Sequence, residues 1–441
     1  MSRRLDPRLL SRLQQEAADA LAAEQRRRQA DGKSRLAGEA ERQAGRRHIN
    51  DRVNAHRRAL VESGRDPMPL ELAEEYGSAL EARVFGAGSL QELLDDESLE
   101  DIHLNGHDNV LLIDADGRKW RGEPIADSDE DLIAQIQNLA AYAGLNARPW
   151  DSANRQLDLR LPDGSRLSAV QGNSTRPSVS VRRHRHKKVT MADLVGNQTL
   201  TPEVAEFLTA AVRAKLNIVL TGGTGAGKTT MLRALAGVFD PMERVITIEP
   251  ALELGLDENV DAHHDVVAME ATPANAEGHG EVSVDELLRW TLRMNPDRII
   301  VGEVRGREMV TMLNAMSQGN EGSISTMHAD TPRQLFSRIV TYCLQSREQL
   351  QEVAAKHMAS DALDLIVQVR KNPDDRDADR PRRQVAEILE VEGYDGDVLS
   401  NTIFQARHGQ DAQRTDSGIT SRNLERLLRA GWDAPRDGGP R

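Results

Sequence analysis

The chain has 441 residues, 57 Lys and Arg against 70 Asp and Glu for a net charge of −13, and a single cysteine, Cys343. At about 150 residues per domain this length allows two or three domains, the acidic balance disfavours a protein that coats nucleic acid, and one cysteine excludes both an intramolecular disulfide and a four-cysteine zinc site. No apolar run approaches the roughly 18 residues of a membrane span and the first residues lack the apolar stretch of a signal peptide, so the expectation is a cytoplasmic protein, at most peripheral to a membrane.

Residues 1–60 are dense in Arg, Gln, Glu and Ala, with Arg26-Arg27-Arg28 and few large apolar residues after Leu21. They read as a charged helical or disordered arm; a basic arm for a membrane or partner is the alternative, weakened by the interspersed Glu24, Glu39 and Glu41. Residues 61–188 read as a small α+β domain. A helix is predicted near 69–84 and another at 128–143, where Leu132, Ile136, Leu139, Ala140 and Ala143 share one face. Asn105-Gly106, Asp116-Gly117 and Pro162-Asp163-Gly164 mark turns between strand-like runs, the last joining 157–161 to 167–170. The basic run from Arg182 to Lys188 closes this domain, and 189–201 reads as a linker.

Past Pro202, short apolar strands near 216–221, 244–249, 298–302 and 322–326 alternate with helices near 228–238, 283–294 and 307–317. That alternation predicts a parallel sheet with helices on both faces, an α/β domain over 202–405. Runs at 363–370 and 384–391, separated by the charged loop 372–377, predict a hairpin that finishes the sheet. The tail 406–441 is polar apart from Leu424, Leu427, Leu428 and Trp432, which fit one short amphipathic helix.

The most informative stretch is Gly222-Gly223-Thr224-Gly225-Ala226-Gly227-Lys228-Thr229-Thr230, directly after the apolar strand ending at Thr221. It matches the Walker A pattern with the strand before it and the helix after it. Glycines let the backbone curl around phosphate oxygens and aim its N–H groups inward, and the helix N-terminus adds partial positive charge. Lys228 is placed for the β- and γ-phosphates of ATP and the Thr229 hydroxyl for Mg²⁺.

Two acids end predicted strands of the same sheet. Glu303 is a candidate Mg²⁺ ligand with Thr229, and Glu249 a candidate for orienting or deprotonating the attacking water. His328, just past another strand, reads on its own as a structural hydrogen-bonder. His263-His264 lack helix-spaced partners for zinc, and Met309, Met312 and Met316 fall at core spacing.

Taken together, the stretch Asn217–Ala329 resembles the secretion ATPases of the type II/type IV superfamily, in particular the CpaF branch that serves Flp/Tad pili. Four boxes stand in order: Walker A at 222–229; an Asp box at Ile248-Glu249-Pro250-Ala251-Leu252-Glu253-Leu254; an atypical Walker B region at Leu292–Arg305; and a His box at Gly322–Ala329. Upstream, Asp101–Gly106, Arg160–Arg166 and Ser180–Arg183 are similar to the family's N-terminal domain, so the likeness spans about 70–405. It implies a RecA-like P-loop NTPase domain, a smaller N-terminal domain, a ring-shaped homo-hexamer and inner-membrane platform partners. It also implies catalytic roles for Glu249, Glu303, His328 and Arg305, with Arg160, Arg166, Arg182 and Arg183 as candidates for reaching the phosphates between subunits.

Pro250 departs from the pattern by standing where the family usually has Asp, which removes a carboxylate and an N–H beside Glu249. Asn320 replaces a frequent His, and 266–272 lack the usual arginines. The leading expectation is a hexameric ATPase driving pilus assembly or protein export. A nucleotide-binding scaffold that hardly hydrolyses ATP is the alternative that Pro250 favours. A nucleic-acid translocase is disfavoured by net charge and by aromatics at 3%; neither nucleic acid nor zinc is expected as a partner.

Overall fold

The structure is a computed structural model that describes residues 5–31, 36, 39–85, 90–96, 98–114, 117–142, 150–161, 164–183, 188–272, 274, 278–372, 382–407 and 410–433. The sequence readings at Asp116, Ala143, Pro162, Asp163, 184–187, 373–377 and the last eight residues of the tail lie outside the described residues. The chain divides into two compact units, Met1–His184 and Arg185–Arg441.

The first unit opens with three helices, α1 (Pro7–Ala30), α2 (Glu39–Glu62) and α3 (Leu70–Phe85). Leu10, Leu13, Ala17, Leu21, Ile49, Val53, Tyr76 and Leu80 are all buried together. Of the two forms expected for the arm over 1–60, helical or disordered, the described residues take the helical one, and what is corrected is its solvated character: α1 and α2 share a buried core with α3. Its apolar stripe is narrow and partly Ala (Ala17, Ala44, Ala73), so composition hid it. Polar ties support the packing, with the Asp6 N–H donating to the Tyr76 hydroxyl at 2.8 Å and the Gln25 amide bonding both the N–H and the carbonyl of Leu36.

After α4 (Leu90–Asp95) come β1 (Leu99–Asn105), β2 (Val110–Asp114), β3 (Lys119–Arg121), α5 (Asp129–Tyr142), β4 (Gln156–Arg160), β5 (Arg166–Val170) and β6 (Ser178–Arg182). The strands form one antiparallel sheet in the order β3-β2-β1-β6-β5-β4. One face buries Ile102, Leu104, Leu167, Val179 and Val181 against Leu132 and Ile136 of α5. The β1–β2 turn at Asn105-Gly106 is pinned by Arg176, whose guanidinium fills the space a Cβ at Gly106 would need; Gly106 has φ +90°. Arg176 in turn grips Asp129 at the start of α5 through Nε (2.8 Å) and Nη2 (2.7 Å), and this holds the Asp129 carboxyl well below the usual carboxylate range.

The second unit begins with α6 (Met191–Gly196) and α7 (Pro202–Arg213), so residues 189–201 are not a free linker. Thr190 and Asp193 form a capping box, and Leu194 and Leu200 are buried in the unit's core. Next come β7 (Ile218–Thr221), α8 (Lys228–Ala236), β8 (Arg244–Glu249), β9 (Asp265–Glu270), α9 (Val284–Thr291), β10 (Arg298–Val301), α10 (Met309–Ser317), β11 (Ile324–Met327), α11 (Pro332–Gln345) and α12 (Glu352–Ala362). The chain continues with β12 (Leu365–Lys371), β13 (Arg383–Tyr394), β14 (Val398–Ala406), β15 (Ala412–Arg414) and α13 (Ser421–Arg429). The sheet runs β15-β14-β13-β12-β7-β11-β10-β8-β9. It is parallel from β12 to β9 and antiparallel from β12 to β15. Met309, Met312 and Met316 lie in the core beneath it. The tail is anchored: Leu427 and Trp432 are buried, and Trp432 meets the Phe207 ring edge-on at 5.4 Å.

If the N-terminal helices share a core, Leu80→Ala removes a fully buried side chain and lowers unfolding stability by about 2–5 kcal/mol. Urea titration followed by circular dichroism checks this; an unchanged midpoint would mean that the helices do not pack.

Candidate nucleotide site

Six parallel strands put their carboxyl ends on one edge of the sheet, the edge at which open α/β sheets bind ligands. The loop after β7 is the Walker A segment. Gly222 must be glycine, because at φ +151° a Cβ would strike the Val369 carbonyl oxygen. Gly225 and Gly227 have φ +70° and +99°, and Gly227 leads directly into α8. Gly223, Thr224 and Gly225 are exposed, Ala226 is buried, and Thr229 and Thr230 are half-buried at the helix start.

The Lys228 side chain folds back over this loop and is only 8% exposed. Its Nζ donates to the Gly222 carbonyl at 2.9 Å and the Gly223 carbonyl at 3.1 Å, and lies 3.4 Å from His328 Nδ1. Among the described residues it has no ion-pair partner. Burial pushes its pKa down, against the pull of Glu303. A buried ammonium resting on neutral acceptors fits an incoming polyphosphate, whose oxygens would give it the negative charge it lacks.

Glu303, just past β10, and His328, just past β11, meet beside Lys228. His328 Nε2 lies 2.9 Å from Glu303 Oε1, close but not aligned as a hydrogen bond, while Arg305 Nη2 contacts Glu303 Oε2 at 2.5 Å. An ammonium can only donate, so His328 Nδ1 accepts from Lys228 and the ring proton sits on Nε2, toward Glu303. Burial, then the Lys228 charge, lower the His328 pKa, against the pull of Glu303, which favours the neutral ring. The glutamate raises the Arg305 pKa. The structure thus brings Lys228, Glu303, Arg305 and His328 into one cluster. Thr229 and Glu303 offer hard oxygens of the kind Mg²⁺ takes, so the donor set fits that ion.

Glu249 is arranged differently. It ends β8, is 2% exposed, and its Oε2 accepts from the backbone N–H groups of Glu253 (2.8 Å) and Leu254 (3.0 Å). Its Oε1 is buried without a hydrogen-bond partner. Gly302 makes room for it, since a Cβ there would stand 2.9 Å from Glu249 Cγ. Burial pushes the Glu249 carboxyl up to about 7. Pro250 stops the strand immediately after it. The carboxyl expected to face an attacking water is therefore turned into the backbone of its own box. The sequence around Glu249 does not signal this, because it needs Glu253 and Leu254 to fold back and Gly302, just past β10, to leave room.

In the first unit, Arg160, Arg166 and Arg182 stand opposite one another on β4, β5 and β6, with Asp101 of β1 next in the row. Arg182 Nε pairs with Asp101 at 2.9 Å, and Arg183 contacts the Asp96 carbonyl. Arg160 and Arg166 have no ion-pair partner among the described residues, and three like charges stand side by side along the row. Arg160, Arg166, Arg182 and Arg183 belong to a different unit from the cluster at Lys228. No helix of the described residues is long and apolar enough to cross a membrane, and no described His, Cys, Asp or Glu group is placed to hold a metal on its own.

The sequence model of a family described as "Type II/IV secretion system protein" matches residues 85–403. A protein of Mycobacterium tuberculosis named for conjugal transfer is 34% identical over 339 residues, covering 75% of this chain and 91% of that one. The type IV secretion system protein PtlH of Bordetella pertussis is 36% identical over 190 residues, 43% of this chain and 54% of that one. Among solved structures, the VirB11 ATPase of the Brucella suis type IV secretion system, in complex with sulphate, aligns at 26% identity over 68% of this chain and 91% of that one, with a TM-score of 0.37.

The raised pKa of Glu249 makes stability depend on pH. The unfolded chain ionises this group near its ordinary 4.5 and the folded chain near 7, so the folded state holds the extra proton between them and stability falls as pH rises through that window. Glu249→Gln removes the slope. From about pH 5 to about pH 8 the variant should gain on the order of 3 kcal/mol relative to the unaltered chain in urea titrations; an equal difference at both ends would show that the carboxyl is not held protonated.

Proposed function

The chain belongs to the type II/IV secretion system protein family, and on that premise we propose that it is a Mg²⁺-dependent ATPase of the CpaF branch. It works as a homo-hexamer at the cytoplasmic face of the membrane and powers Flp/Tad-type pilus assembly or protein secretion. The observation that carries this reading is the cluster of Lys228, Glu303, Arg305 and His328 at the mouth of a Walker A loop. The names of the Bordetella and Mycobacterium relatives support a secretion or transfer apparatus as the partner, and within it the inner-membrane platform proteins are the contact this reading proposes.

In this reading Lys228 leaves the Gly222 and Gly223 carbonyls for the β- and γ-phosphates of ATP, and residues 222–230 wrap them with backbone N–H groups. Thr229 and Glu303 hold Mg²⁺, which when bound neutralises charge on the phosphate oxygens. Glu303 stands beside Lys228 and is the acid best situated to orient the attacking water. His328 reports the state of Lys228 to Glu303, because both contacts run through its ring. Arg160, Arg166, Arg182 and Arg183, supplied by the first unit at a subunit boundary, spread the charge that develops on the γ-phosphate. Glu249 acts on water only if its bonds to Glu253 and Leu254 open.

That last requirement favours a second reading, a nucleotide-binding scaffold with little turnover, which the Glu249 cage and Pro250 both support. Mg²⁺-ATP hydrolysis measured against protein concentration separates the two. The motor reading expects turnover per subunit to rise as the ring assembles, and to fall by about a hundredfold or more in Lys228→Ala and in Glu303→Gln. ATP binding with turnover no higher than that of Lys228→Ala would establish the scaffold instead.

A further inference from the structure

β12 and β13 rise beside the Walker A loop as an antiparallel pair whose last register partners are Lys371 and Arg383. Both side chains are exposed. Two like charges directly opposite across a ladder repel, and neither has an ion-pair partner among the described residues. Both are nonetheless laid against the phosphate loop. Arg383 Nε donates to the Gly225 carbonyl at 3.2 Å. A Cβ at Gly225 would stand 3.5 Å from Lys371 Nζ, and one at Gly227 would stand 3.0 Å from Arg383 Cδ. The hairpin is locked to the loop at its base, where the Val369 carbonyl abuts Gly222.

The strand order gives this pair a direction. His328 and Glu303 follow β11 and β10, on one side of β7, and they mark the γ-phosphate end of the site. β12 lies on the other side of β7. A nucleotide stretched along the loop has its α- and β-phosphates on that other side.

The geometry points to Lys371 and Arg383 as a second cation pair of the nucleotide site, provided by the same chain and directed at the α- and β-phosphates. An anion between them relieves a repulsion that the described residues leave in place, and Arg383, already bonded to the loop, needs little ordering to serve. The inference rests on the nucleotide-site reading above and deepens it. It separates two jobs: the cluster at His328 distinguishes a triphosphate from a diphosphate, whereas Lys371 and Arg383 see both alike.

The test is calorimetric titration of the full-length chain with ATP and with ADP. Lys371→Gln and Arg383→Gln are each expected to weaken both nucleotides by a similar factor, roughly tenfold, with a shallower dependence of affinity on salt. Lys371→Arg and Arg383→Lys should recover most of the loss, and because both positions are exposed the thermal midpoint without nucleotide should not move. Unchanged affinities, or a loss confined to ATP, would overturn the inference while leaving the nucleotide site intact. Failure of the unaltered chain to bind either nucleotide would overturn the site itself, and this inference with it.

Discussion

One buried amide holds the working end of this protein in register. Asn217 stands at the start of β7, 4% exposed, and uses every bonding group it has. Its Nδ2 donates to the carbonyls of Met316 (2.9 Å) and Ala362 (2.8 Å), which tie down the ends of α10 and α12. Its Oδ1 accepts from the N–H groups of Gly322 and Ser323, both at 3.0 Å, at the start of β11. Its backbone N–H donates to Asp364 Oδ2 at 2.8 Å, and its carbonyl accepts from Asp364 and Leu365, where β12 begins. Three adjacent strands are thus fixed at one end by a single residue, and their far ends carry the phosphate loop, His328 and Lys371. A buried polar network of this kind specifies one arrangement because any shift leaves several groups unsatisfied. Arg426 of α13 reinforces it by bonding Asp364, Glu321 and the last carbonyls beyond α7.

Against that rigid base, the opposite edge holds its charges in provisional arrangements. Lys228 rests on carbonyls of its own loop. Glu303 touches His328 and Arg305, and Glu249, its carboxyl pushed up by burial, leans on the N–H groups of its own box. The contacts of Lys228 and Glu303 compete with those that a polyphosphate and its metal would offer, so ligand binding there would exchange partners rather than build a site from nothing. The energetic differences in such exchanges are small compared with the individual interactions, which suits a machine that must release its product.

The Walker A loop was readable because its chemistry is local: glycines, lysine and threonine stand consecutively between a strand and a helix, and the positive φ values at Gly225 and Gly227 are what that pattern demands. The strand ends at Glu249 and Glu303 were readable for a similar reason, since apolar runs stop at them. The orientation of Glu249 was not, because it depends on Gly302 and on Glu253 and Leu254 folding back. The helical core of the first unit escaped because burial there falls on alanines and on apolar residues spaced among many arginines. The stretch 189–201 looked like a linker although Thr190 and Asp193 carry the spacing of a capping box. Lys371 and Arg383 are 12 residues apart across a charged loop, and only the β-register sets them opposite each other.

The order of the central strands has a consequence for how the chain comes off the ribosome. β7 is the first strand of the second unit to be made, yet its neighbours in the sheet, β11 and β12, are the fourth and fifth strands to follow it. Its partners through Asn217 run from Met316, 99 residues downstream, to Leu365 at the start of β12. A nascent chain that has exposed its glycine-rich loop cannot yet close the strands around it, and β7, whose four residues are all buried in the finished fold, stays open until β12 has emerged. Contacts so distant along the chain make for slow folding. The phosphate loop, among the first parts of the unit to be synthesised, is therefore among the last to become competent.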